Sequence, residues 1–416
     1  TTNGVSLASP ISISGTGTKT LGSALTTTSS CTIASSFTFS TFSLTCLTYT
    51  DSGSRTFSFS GSSAIFITGN NATVATFSAT VSGSPPINLS YSGSVGTRTI
   101  STGSPSEANS RNISITAGSD IITTPSFTNF KNLDFTGFSG TVSTWGFSSI
   151  TIYGNLTLSS GMTYTATATV SFEATSSKTI TTNAKTLGQV TFNGVGGTWT
   201  LQDALTSTGT ITLTNGTLDT NGKAVSGSTF SSNNSNTRAL TLGATTLTCT
   251  GNGPSAFTIA TTTGMTLSAG TSTISMTSAS AKTFAGGGLT YYNLNQGGAG
   301  ALTISGSNTF NDIKNTVQPN TVTFTISTTQ TVSNFSLTGT AGNLITINSS
   351  SAGTQATLSK SSGTVSCNYL SIKDSAATGG ASWYAGTTST NVSGNTGWIF
   401  TAPPAGNTSS FFLLFP

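Results

Sequence analysis

Residues 187–225, LGQVTFNGVGGTWTLQDALTSTGTITLTNGTLDTNGKAV, set apolar side chains and Thr or Ser in strict alternation. The runs Val190-Thr-Phe192, Thr198-Trp-Thr-Leu201 and Thr210-Ile-Thr-Leu213 are separated by Asn193-Gly194, Gly196-Gly197, Asn215-Gly216 and Asn221-Gly222. A period of two gives each run one buried face and one wet face, which is a strand's pattern and not a helix's. Asn-Gly and Gly-Gly steps tolerate positive φ, so the chain corners there without strain. Val190-Thr-Phe192 and Ile211-Thr-Leu213 stand about 21 residues apart, a length that suits one coil of a β-solenoid. The alternation predicts Phe192, Leu213, Leu242 and Cys249 inward and Thr191 and Thr212 outward. A slip of one residue would invert every face.

Composition removes most other classes. Charged residues make up 5% of the 416, against about a quarter in a typical soluble domain. Thirteen basic and nine acidic side chains give +4, and there is no His. They are spread thinly, so the clustered basic footprint of a nucleic-acid partner is missing. Disorder is disfavoured because the chain must bury 24 Phe and its net charge is low. Thr, Ser, Gly and Asn are poor helix formers, and no 3.6-residue stripe appears. The expected class is all-β: a parallel β-helix or β-solenoid. The longest apolar run, Phe411 to Phe415, has five residues where about 20 span a bilayer, so no membrane span is expected. The chain opens Thr1-Thr-Asn-Gly without a signal peptide, which reads as a processed or truncated start.

Four regions follow from the pattern. Residues 1–110 are an irregular β-rich part ending in the polar loop STGSPSEANSR. Residues 111–375 are the regular solenoid. Within it Ser176-Ser-Lys178-Thr179 and Ser280-Ala-Lys282-Thr283 introduce similar blocks 104 residues apart at their lysines, about five coils. Residues 376–402 are a Gly-rich aromatic cap module, and residues 403–416 a Pro linker with an apolar tail.

Chemistry has few candidates. Glycoside hydrolysis needs two carboxyls about 5–10 Å apart. Asp203 and Asp219 sit beside turns, where capping accounts for both, and Asp312 lies near only Lys314. Without His a Ser-His-Asp triad is impossible. No catalytic, cofactor or metal residue is expected. Cys31, Cys46, Cys249 and Cys367 share parity with inward apolar neighbours and read as buried small hydrophobes. A Cys31–Cys46 disulfide stays open, and the spacings match no zinc pattern. Trp383, Tyr384 and Trp398 have two readings, a cap over the open end of the stack or a platform for a host glycan. Phe411, Phe412, Leu413, Leu414 and Phe415 are apolar without alternation, so both faces of a strand there need cover. They form a candidate assembly tail.

The blocks YSGSVGTRTI, ISITAGSD, NLDFTGFSGT, ITIYGNLTLSSGMT, VTFNGVGGTWTLQDALT and TLTNGTLDTNG, closed by SWYAGTTSTNVSGNTGWIF, resemble those of a known group. It comprises the repetitive Thr/Ser/Gly-rich β-solenoid proteins of tailed phages and environmental viruses, found also on bacterial surfaces. The resemblance runs from about Ile87 to Phe400. It implies a structural, non-enzymatic role in a virion appendage (fibre, tail or decoration) or at an extracellular surface. The implied partners are further copies or other structural proteins, and a host-surface glycan. A surface adhesin or carbohydrate-binding module is the alternative, with a polysaccharide depolymerase behind it. No obvious chaperone or trimerisation domain follows, and the resemblance brings no catalytic residues.

Overall fold

The computed structural model describes residues 6–51, 54–59, 63–69, 74–77, 80–82, 86–102, 106–124, 128–145 and 149–404. It is all-β apart from one 3₁₀ turn, Glu107–Asn109. Parallel strands stack into β-solenoid turns, about 17 of them, roughly 21 residues apart. They fall into two compact units, 1–250 with 261–272, and 251–260 with 273–416.

In the first unit a coil has three short strands. Val190–Phe192, Thr198–Leu201 and Leu205–Ser207 form one coil; Thr210–Leu213, Gly216–Asp219 and Val225–Gly227 form the next. Each strand lies on its counterpart in register. Val190 meets Ile211, Trp199 meets Leu218 and Leu205 meets Val225. Inward residues therefore stack on inward residues: Phe172 on Phe192 with ring centroids 5.3 Å apart, and Phe192 against Trp199 at 5.2 Å. Phe192, Leu213, Leu242 and Cys249 are buried as the alternation predicts, while Thr191 and Thr212 are half-open. Ser171, Thr191, Thr212 and Ser231 make one outward column. Stacking also runs through the polar loop near residue 110, since Pro86–Leu89 pairs with Arg111–Ile115.

Corners are held by side-chain amides passed from coil to coil. Asn215 Nδ2 donates to Asn193 Oδ1 at 2.9 Å, and Asn155 N–H donates to Asn132 Oδ1 at 2.7 Å. Asn221 and Gly222 take positive φ at their turn. Gly194 is required for another reason: a Cβ there would lie 1.8 Å from the Ala174 carbonyl oxygen of the coil before.

The second unit uses longer strands. Thr290–Gln296, Thr309–Asn315 and Thr329–Ser336 run side by side, with Leu294 on Ile313 and Ile313 on Phe335. Phe257 and Phe284 stack with centroids 4.7 Å apart, flanked by Tyr291 and Phe310.

Candidate functional site

The aromatic segment packs into the second unit's core. Ser382–Tyr384 lies between Thr364–Ser366 and Trp398–Ile399, which places Trp383 directly on Trp398. Their rings are 5.3 Å apart, and both pack on Phe335 at 5.6 and 6.1 Å. Trp383 Nε1 donates to the Thr378 carbonyl at 3.0 Å, and Trp398 Nε1 to Ser375 Oγ at 3.1 Å. Only 1% of Trp383 and 9% of Trp398 is exposed. Sugar stacking needs an open ring face, and these two indoles have given theirs to one another and to Phe335. Tyr384 is half-buried beside them. The tail residues Phe411, Phe412, Leu413, Leu414 and Phe415 lie outside the described residues.

The carboxylates weighed for catalysis are tied to backbone. Asp203 Oδ1 accepts from Thr182 N–H at 2.8 Å and its Oδ2 from Asn183 N–H, so it caps the turn of the coil before. Asp219 Oδ1 accepts from Asn221 N–H at 2.8 Å within its own turn. Burial raises the proton affinity of Asp312. Among the described residues no group of three His, Cys, Asp or Glu is placed to hold a metal ion. No helix there is long and apolar enough to cross a membrane.

Sequence reasoning overlooked a set of buried cations. Arg98 makes a two-pronged pair with Asp120, Nε to Oδ2 at 2.7 Å and Nη2 to Oδ1 at 2.8 Å, beneath the Tyr91 and Phe138 rings. Arg111 Nη2 reaches Asp51 Oδ2 at 3.1 Å, which the Tyr49 hydroxyl also approaches at 3.3 Å. Burial, reinforced by the Asp51 charge, pushes the Tyr49 hydroxyl well above its ordinary pKa. Arg238 finds no carboxylate. Its five N–H groups go to Ser232 Oγ and to the carbonyls of Ser232, Asn236, Thr261 and Thr263. Lys282 Nζ donates to the carbonyls of Ser278 and Gly300 at 2.9 and 2.6 Å. Burial lowers its pKa to about 8.

The missed signal is parity. Arg98, Arg111, Arg238 and Lys282 each stand two residues before a buried Ile100, Ile113, Leu240 or Phe284, hence on the inward face. In the related block Lys178 stands two before Ile180 but is only half-buried.

All four cysteines are buried, and none is in a disulfide. Burial pushes the Cys249 and Cys367 thiols up to about 12. No protein family, curated protein or solved structure matches this chain.

Proposed function

We propose that this chain is a structural, non-enzymatic solenoid of a virion appendage or an extracellular surface, working with further copies or other structural proteins. The carrying observation is the coil-to-coil register, in which the polar groups that could do chemistry hold the stack instead. Asp203 and Asp219 cap turns, and Arg98 and Arg111 are paired inside. Outward columns of Thr and Ser give solubility with few charges, so the surface suits repeated lateral or end contacts. The repeat blocks that resemble phage and bacterial surface proteins support this location.

Strand edges supply the means of assembly. Ser6–Leu7, Ile11–Ile13 and Lys19–Thr20 each pair on one side among the described residues, the kind of edge to which a further strand adds. The test combines two readouts on the purified chain. Antibodies against it should label the outside of intact particles or unpermeabilised cells of its source. A panel of surface polysaccharides should show no release of reducing ends. Specific cleavage would overturn the structural reading in favour of a depolymerase, and saturable glycan binding without cleavage would favour an adhesin.

A further inference from the structure

Cys31 and Cys46 belong to one coil of the first unit. The chain runs from Ser30–Ile33 through Phe37–Ser40 to Leu44–Cys46, one strand on each of three faces. Cys31 is in register with Ile11 below and Tyr49 above. Cys46 is in register with Ile67. Both side chains point inward, at 1% and 0% exposure. Across the core their thiols are close enough to share a hydrogen bond. They are 15 positions apart in the chain, a loop length that a disulfide closes with useful gain.

We propose that Cys31 and Cys46 are a cross-linking site, joined by a disulfide that closes this coil into a covalent ring when the chain meets a small oxidising disulfide. Exchange needs one thiolate to open the oxidant and a second within reach to resolve the mixed disulfide. The two buried thiols interact, so that losing a proton from one makes it harder to lose one from the other. Either sulfur can open the exchange. When Cys31 does so, its sulfur attacks oxidised glutathione, forming a mixed disulfide and expelling one glutathione thiolate. Cys46 then loses its proton and attacks the Cys31 sulfur, expelling the second. The protein gives up two electrons and two protons, and oxidised glutathione becomes two molecules of the thiol. Local opening of the neighbouring coils, or the unfolded chain itself, gives the oxidant its access.

The full chain, unfolded and reduced, is refolded in oxidised glutathione, then unfolded again in iodoacetamide and digested. Lys19 and Arg55 place both cysteines in one tryptic peptide, 20–55. The expected product is that peptide two hydrogens lighter and carrying no alkyl group, while Cys249 and Cys367 are alkylated. Further cleavage at Phe37, Phe39 or Phe42 should leave two pieces that separate only after reduction. The oxidised chain should melt several degrees higher and return to the reduced value in dithiothreitol. Cys31→Ser and Cys46→Ser chains should neither lose the two hydrogens nor show the melting shift. Peptide 20–55 doubly alkylated after refolding, glutathione retained on either cysteine of the unsubstituted chain, or a link to a second chain would each overturn the proposal.

Discussion

A cation sealed in a solenoid core has to be satisfied by what the coils offer, and the four here solve this differently. Arg98 has Asp120, so removing only the anion is the damaging change. Asp120→Asn should cost about 3–5 kcal/mol, whereas replacing both by Met and Leu should be near neutral; urea unfolding of the three chains checks this. Lys282 has only carbonyls, so its charge opposes folding. Its pKa is about 8 in the fold against 10.5 outside it. Below about pH 8 both states carry the proton and the penalty is full. Between about 8 and 10.5 the unfolded state binds more protons, so stability from this residue rises with pH by about 3 kcal/mol. Cys249 and Cys367 act oppositely: raised to about 12, they lose stability as pH climbs above the ordinary thiol value. The readout is therefore a difference. Relative to Lys282→Met, the unsubstituted chain should gain stability from pH 8 to 10.5, and a flat difference would mean Lys282 is not buried as a cation.

At the scale of the strand and turn, alternation decides the outcome of substitution. Phe192→Ala should lose about 3–5 kcal/mol, and Thr191→Ala beside it should stay within about 0.5 kcal/mol. Thermal melts in which the two costs are reversed would overturn the register. Gly194→Ala should fall well below Thr191→Ala, because its new methyl meets backbone. These faces were legible in the sequence, since Thr191 and Phe192 differ in parity and nothing else is needed. The coil length was legible at Val190 and Ile211, which do stack. The burial of Trp383 and Trp398 was half legible: their Gly-rich setting marked a special segment, but buried indoles and an open sugar platform look alike until exposure is known. The ion pairs were not legible. Whether Arg98 faces Asp120 depends on how many residues the intervening loops hold, and Arg111 meets Asp51 across a separation of 60 residues. Parity alone could have flagged the cations as inward without naming their partners.

For the molecule as a whole, assembly is the property to test. Phe411 to Phe415 would forgo roughly 1.5–3 kcal/mol per large side chain if left in water, so we expect the tail to be covered by a neighbouring copy. Deleting residues 410–416 should lower the assembly state measured by sedimentation. If the shortened chain assembles like the full one but melts lower, the tail covers only its own chain. The register of the coils bears on something beyond folding. Val170, Val190 and Ile211 are successive members of one column, so excising 190–210 would set Val170 against Ile211 and leave every strand a partner of its own kind. Length in such a chain is inherited in whole coils. Recombination between similar blocks of its gene can lengthen or shorten the protein by a turn at a time, leaving the ends, and whatever they grip, unaltered.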